Sequence, residues 1–111
     1  MSNQAAVYFL SNSISGVLFV GVTSDLFQTL AQFKSNHAKD PSRRSKLDRL
    51  VHVELYEDFR SASSREMQLK WWPRLWKLEL IEQENPDWHD LWDEITCYLE
   101  QSLLVPATQN P

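Results

Sequence analysis

Short apolar runs separated by turn residues predict β-strands in the first half of the chain. The runs over residues 6–11 and 17–22 flank a segment rich in Asn, Ser and Gly, residues 12–16, and this arrangement predicts a β-hairpin. A third apolar run over residues 50–56 predicts another strand. Gly21 interrupts the second run, and glycine in a strand is typical of a bulge or of a close approach by another backbone.

Apolar residues recur at helical spacing in four further segments. These segments are residues 25–36, a stretch from Asp58 or Ser61 to the Trp71–Trp72 pair, residues 74–84, and residues 87–104. Pro73 ends the second helix because proline lacks the amide hydrogen that the helix needs. Residues 38–46 are polar and contain Pro41, which predicts a loop.

The predicted order is β-β-α-β-α-α-α, which indicates an α/β fold of the α+β type. Three short strands need a covering layer of helices, and four predicted helices can supply it. We therefore expect one domain over residues 1–105, followed by a disordered tail over residues 106–111.

Charge is distributed unevenly along the chain. All eleven Lys and Arg residues lie between Lys34 and Lys77, and the chain up to Lys77 carries a net charge of +4. Residues 78–111 contain eight acidic residues and no Lys or Arg, which gives −8. The basic part is able to contact phosphate, but it also fits a solvated surface, and charge alone leaves both interpretations open.

Composition excludes several classes of protein. Cys97 is the only cysteine, so an internal disulfide is excluded and a cysteine-based metal site is not expected. No apolar run reaches the roughly 18 residues of a membrane span, and the first residues lack the pattern of a secretory signal. We expect a cytoplasmic protein that does not enter a membrane.

A series of short motifs carries a family resemblance. Val7-Tyr8-Phe9 is followed about ten residues later by Phe19-Val20-Gly21, and further matching blocks lie at residues 21–26, 46–51, 65–70, 74–77, 80–82 and 85–88. Over residues 6–92 the chain resembles the small, single-domain bacterial branch of the GIY-YIG endonucleases. The resemblance implies the GIY-YIG fold and hydrolysis of a phosphodiester with one divalent metal ion. It implies two tyrosines that prepare the attacking water, an arginine that stabilises the phosphate, and a glutamate that binds the metal.

The match is incomplete at the residues that this chemistry uses. Tyr8 matches the first tyrosine, and Glu66 matches the metal-binding glutamate, which implies Mg²⁺ or Mn²⁺ at Glu66. Phe19 stands in place of the second tyrosine, Thr29 in place of the arginine, and Phe33 where small bacterial members commonly carry a histidine. Phe19 cannot exchange a proton and Thr29 carries no charge. We therefore expect hydrolysis to be very low or absent.

The two matching residues also have purely structural interpretations. Tyr8 lies in an apolar strand, where an aromatic side chain usually packs in the core. Ser63 and Glu66 fit the capping box of a helix start. If the helix begins near Asp58, Glu66 instead lies within the helix and can face a cleft, and the helical spacing of Ala62 and Met67 favours this second interpretation.

Two groups of residues are candidates for contact with nucleic acid. The basic group is Lys34, Arg43, Arg44, Lys46 and Arg49, and its alternative is a solvated loop. The aromatic group is the five tryptophans, which are able to stack bases. The four-residue spacing of Trp72 and Trp76, and of Trp88 and Trp92, favours packing in the core instead, which leaves Trp71 as the expected exception.

Three functional hypotheses follow. The first, which we favour, is a GIY-YIG endonuclease-like domain that has lost hydrolysis and retains weak binding of DNA or another nucleic acid. The second is an active Mg²⁺-dependent DNA endonuclease that recruits other groups, such as Tyr8, His37 or an arginine of residues 43–44. The third is a protein-interaction module built on the nuclease fold, with a protein partner on the former cleft or on the acidic last helix.

Overall fold

The computed structural model describes residues 4–14, 16–39 and 49–104, and it confirms the predicted order of strands and helices. The elements are β1 (Ala5–Ser11), β2 (Leu18–Thr23), α1 (Leu26–Lys39), β3 (Arg49–Tyr56), α2 (Phe59–Trp71), α3 (Arg74–Glu84) and α4 (Trp92–Leu104). Of the loop predicted over residues 38–46, the first two residues extend α1, and the rest lies outside the described residues, as does the predicted tail. None of the described helices is long and apolar enough to cross a membrane.

The sheet is antiparallel and has β1 in its centre, in the order β2-β1-β3. Tyr8 of β1 lies opposite Gly21 on one side and opposite Val53 on the other. The pairing of β1 with β3 shifts between Phe9 and Leu10, so the irregularity lies in that pair and not at Gly21.

Both faces of the sheet are covered, which divides the core into two clusters. One cluster joins the sheet to α2, α3 and the segment that follows them, through Val7, Phe9, Val20, Ala62, Leu69, Ile81 and Trp88. The other joins the opposite face to α1 and α4, through Ala6, Leu10, Leu26, Leu30, Leu50 and Leu99. Alternate residues of β1 therefore enter different clusters, as the two-residue period of a strand requires.

Helix α2 begins where Asp58 caps it. The Asp58 carboxylate accepts a hydrogen bond from the backbone N–H of Ser61 at 2.7 Å, which satisfies one of the open donors of the first turn. The alternative start at Ser61 is therefore wrong, and so is the capping box of Ser63 and Glu66. Glu66 lies in the middle of α2.

The last helix begins later than predicted, at Trp92 and not at residue 87. Asn85 ends α3, and its side-chain amide donates to the carbonyls of Val51 and His89 at 3.1 and 2.9 Å. Trp88 then adopts a left-handed backbone with φ of 56°, which breaks helical continuity. These tertiary bonds to β3 outweigh the local preference for a helix.

The segment between α3 and α4 lies along the outer edge of β3. The backbone N–H of Leu91 donates to the carbonyl of Leu50 at 2.7 Å, and the Leu50 N–H donates to the Asp90 carboxylate at 3.1 Å. The Arg49 guanidinium donates to the carbonyl of Trp88 at 2.9 Å. Residues 85–91 therefore bond to the side of β3 that none of the described strands covers.

A half-buried ion pair fixes α2 against β3. Arg65 donates from Nε and Nη2 to the two carboxylate oxygens of Glu54, at 2.9 and 3.2 Å. The same carboxylate accepts a hydrogen bond from the Tyr56 hydroxyl at 3.0 Å and lies 3.0 Å from His52 Nε2. Burial alone would raise the pKa of Glu54, but the hydrogen bonds of His52, Arg65 and Tyr56 outweigh it and lower that pKa to about 2.

Arg65 is held from a second direction by an aromatic ring. Its guanidinium carbon lies 5.0 Å from the ring centroid of Trp72, within the range of a cation–π contact. Trp72 in turn packs edge-on against Trp76, with 5.6 Å between the ring centroids. Because Arg65 directly precedes Glu66, α2 is anchored to β3 next to Glu66.

Replacing the carboxylate tests this ion pair. Glu54→Gln is expected to lower the free energy of unfolding by about 2 kcal/mol near neutral pH, because the hydrogen bonds to a charged acceptor are weakened. Since the folded pKa lies below the ordinary 4.5, the stabilisation is present above that pH and is lost as the pH falls towards 2. The difference between wild type and variant should therefore shrink over this window in urea unfolding curves.

Glu57 provides the matched control, because it is exposed and directly follows the last strand. Glu57→Gln should change stability by less than about 0.5 kcal/mol. An unchanged difference between wild type and Glu54→Gln near pH 7 and near pH 3 would contradict the assignment of the ion pair as a source of stability.

Candidate functional site

Tyr8 is the member of β1 whose side chain is only half-buried, and its ring lies over Gly21. A Cβ atom at position 21 would stand 2.6 Å from Tyr8 Cζ and 2.7 Å from its hydroxyl oxygen. A side chain at position 21 would require the Tyr8 ring to move, so the group that approaches Gly21 is a side chain and not the backbone that the sequence predicts. Phe19, two residues before Gly21, places its ring centroid 6.3 Å from that of Tyr8.

The pKa of Tyr8 is raised, and this limits the part that Tyr8 can take in catalysis. Burial raises the pKa of the Tyr8 phenol, and the negative charge of Glu66 raises it further. Tyr8 is thus a neutral phenol at physiological pH, able to donate a hydrogen bond but poorly suited to take up a proton. The Glu66 carboxylate is thus within electrostatic range of the Tyr8 phenol.

Glu66 is held by a neighbour on its own helix. Its carboxylate Oε2 accepts from the Lys70 ammonium group at 2.7 Å, one helical turn away. The Glu66 side chain is only 15% exposed, whereas that of Lys70 is 55% exposed, so the pair points from the protein surface towards solvent. The carboxylate is therefore neutralised by a cation of the chain itself.

The side chains around Glu66 do not by themselves form a binding site for a divalent cation. Within residues 4–14, 16–39 and 49–104, no three His, Cys, Asp or Glu side chains gather into a group that could hold a metal ion. Glu66 offers one carboxylate, and Lys70 already binds it. Mg²⁺ usually requires further oxygen ligands, from water or substrate phosphate, beside such a single carboxylate.

Thr29 supports the beginning of α1. Its hydroxyl lies 2.7 Å from the hydroxyl of Thr23 at the end of β2, and Thr23 also accepts from the backbone N–H of Asp25 at 3.0 Å. The Asp25 carboxylate accepts from the N–H of Gln28 at 3.1 Å, as a helix cap does. Thr29 thus ties the first turn of α1 to β2, and its short side chain carries no charge.

The remaining predicted positions are mostly not placed by the structure. The side chains of Phe33 and Lys34 in α1 are not described, and Arg43, Arg44 and Lys46 lie outside the described residues. Arg49 is described and binds the carbonyl of Trp88. Its assignment to a nucleic-acid interface remains a prediction, as do those of the other basic residues.

The tryptophans differ in their surroundings. Trp88 is fully buried, as predicted, but it lies in the turn before α4 and shares no helical face with Trp92. The prediction of a core position is wrong for Trp76, which is about half exposed. Trp71 is the exposed exception that the sequence predicts, because the residue is 84% exposed.

The sequence analysis did not predict the ion-pair partners of Glu66 and Glu54. The four-residue spacing of Glu66 and Lys70 is a readable signal for an ion pair on a helix. No such local signal links Glu54 to Arg65, because they lie on different elements, eleven residues apart.

Comparison with known families agrees with this geometry. A model of the GIY-YIG catalytic domain matches residues 4–79, which is more than half of the chain and includes Tyr8, Phe19, Thr29 and Glu66. No curated protein and no solved structure matches the chain. The extent of the family match, together with the order of strands and helices, is sufficient for assignment: the chain belongs to the GIY-YIG catalytic domain family.

Proposed function

We propose that this domain binds nucleic acid and has lost the phosphodiester hydrolysis of its family. One observation carries the proposal: the side chains beside Tyr8 and at the start of α1 are Phe19 and Thr29, which offer neither a second phenol nor a guanidinium. The Phe19 ring is packed beside Tyr8, and the Thr29 hydroxyl is engaged with Thr23.

The chemistry of hydrolysis explains why these two positions matter. Attack of water on a phosphodiester requires a proton acceptor and a positive charge against the developing negative charge. Loss of one preorganised electrostatic group typically slows a reaction by about two to three orders of magnitude. The raised pKa of Tyr8 opposes its use as a replacement base.

The state of Glu66 supports the same proposal. GIY-YIG nucleases typically depend on a divalent metal, and a cation at Glu66 would have to compete with Lys70 for the carboxylate. The Lys70 ammonium group also places a positive charge directly at the Glu66 carboxylate. This single feature favours the second candidate function, an active endonuclease in which Lys70 supplies the positive charge. The cleavage assay described below tests both candidates.

Binding is supported by the charge distribution within the family fold. Residues 59–77, which form α2 and the start of α3, contain five Lys or Arg residues and one acid, Glu66. Phosphate contacts of this kind bind without sequence preference and weaken as salt is added.

A cleavage assay separates loss of hydrolysis from replacement of its groups. Branched, nicked and single-stranded DNA would be incubated with Mg²⁺ or Mn²⁺ and either the wild-type chain or Glu66→Ala. We expect the two proteins to give the same background, because the groups that stabilise the transition state are missing. Product formed by the wild type alone would establish the active alternative and overturn the proposal.

Restoring the missing groups provides the positive arm of the assay. The double variant Phe19→Tyr with Thr29→Arg returns a phenol and a guanidinium, and we expect cleavage to rise at least about tenfold above background. Adding Glu66→Ala to that variant should abolish the gain. Circular dichroism should show that each variant is folded, because Thr29→Arg disrupts the hydrogen bond to Thr23.

Binding itself is tested through its salt dependence. Fluorescence anisotropy with a labelled oligonucleotide of about 20 nucleotides should give an affinity that falls steeply as NaCl rises, with log K linear in log salt. Lys77→Ala should make this slope shallower by about one unit, since one phosphate contact is lost. An undetectable affinity at low salt would remove the proposed function.

A further inference from the structure

Trp71 is the most exposed of the large apolar side chains that the structure describes. It is the last residue of α2 and lies opposite Ala62 and Leu69, the residues through which the helix packs on the sheet. Met67, one turn earlier on the same side, is 62% exposed. Within the described residues, the Trp71 indole makes no hydrogen bond or ring contact. Its aromatic faces are therefore accessible to a ligand.

Positively charged residues flank Trp71 at the end of α2 and the start of α3. Lys70 precedes Trp71, and the Lys77 ammonium group lies 3.5 Å from the carbonyl of Lys70, which brings α3 back to the end of α2. Arg74 begins α3 and donates to the carbonyl of Gly16 at 2.7 Å, next to the hairpin turn. Lys70, Trp71, Arg74 and Lys77 together define what we call the α2–α3 corner.

The corner is close to the family site. Trp71 lies five residues after Glu66 on one helix, about 7.5 Å along its axis. Lys70 connects the two, because its ammonium group binds Glu66 while its neighbour is the exposed indole. A phosphate near Lys70 would leave an attached base within reach of Trp71.

We propose that the α2–α3 corner binds single-stranded nucleic acid, with one unpaired base stacked on Trp71 and the adjoining phosphates held by Lys70, Arg74 and Lys77. Base stacking on an aromatic ring flanked by cations is the usual means of holding single strands without sequence preference. A duplex cannot use this ring, because its bases are already paired and stacked. The inference rests on the proposed function and narrows its substrate class to unpaired strands, overhangs or branch points.

The charge of the corner favours nucleic acid over a second copy of the chain. Residues 59–77 carry a net charge of +4, so two identical corners would repel each other. A polyanion with exposed aromatic bases complements both the charge and the indole.

The test compares single-stranded and blunt duplex DNA of equal length, in EDTA, by fluorescence anisotropy. Trp71→Ala should weaken binding of the single strand by about tenfold or more, whereas Trp71→Phe should keep the affinity within about threefold of wild type. Duplex affinity and the salt slope should not change, because no charge is removed. Phe59→Ala is the matched control, as an exposed aromatic at the opposite end of α2 beside Glu57 and Asp58.

The outcomes separate the two proposals. If the wild type binds and Trp71→Ala leaves single-strand affinity unchanged, or weakens both DNA forms equally, the stacking site is wrong and the proposed function stands. If the wild type binds neither form, both are wrong. If Trp71→Ala changes the mass measured by light scattering but not DNA binding, the corner is an interface between copies. Unchanged thermal unfolding would show that the variant is folded, as expected for so exposed a residue.

Discussion

The central strand β1 constrains the rest of the structure, because it is paired on both edges and covered on both faces. Its side chains enter two different apolar clusters, so the strand cannot shift by one residue without exchanging the two sets. The two sets of side chains therefore also fix the positions of the helices that cover each face. Tyr8, the half-buried member of this strand, is consequently fixed by the packing of its neighbours whether or not it takes part in a reaction.

This rigid centre explains how a fold can persist when its chemistry changes. Phe19 lies on the edge strand β2 and remains 43% exposed, and Thr29 lies in α1, where it needs only a hydroxyl to hold Thr23. Neither position contributes to the two main apolar clusters. Catalytic groups at such positions can be replaced at small cost in stability, whereas a replacement of Val7 or Phe9 would disturb the core.

The parts of the fold predicted from the sequence are those with strong local signals. The apolar runs locate the three strands, Pro73 separates α2 from α3, and the family motifs locate Tyr8 and Glu66. The start of α4 was not predictable, because Asn85 and Trp88 are placed by bonds to β3 that no local pattern contains. The ion pair of Glu54 and Arg65 could not be predicted for the same reason, because β3 and α2 bring these side chains together only after folding.

The segment over residues 85–91 also covers an edge of the sheet that would otherwise favour aggregation. The outer edge of β3 would otherwise present unpaired backbone groups, which are a template for pairing with strands of other molecules. Bonds from Asn85 and Leu91 to the backbone of β3, and from the Leu50 N–H to Asp90, occupy part of that edge. The family match ends at residue 79, so a fragment cut at that boundary would keep Tyr8 and Glu66 yet lose this cover. Resistance to aggregation is thus carried by residues outside the region that defines the family.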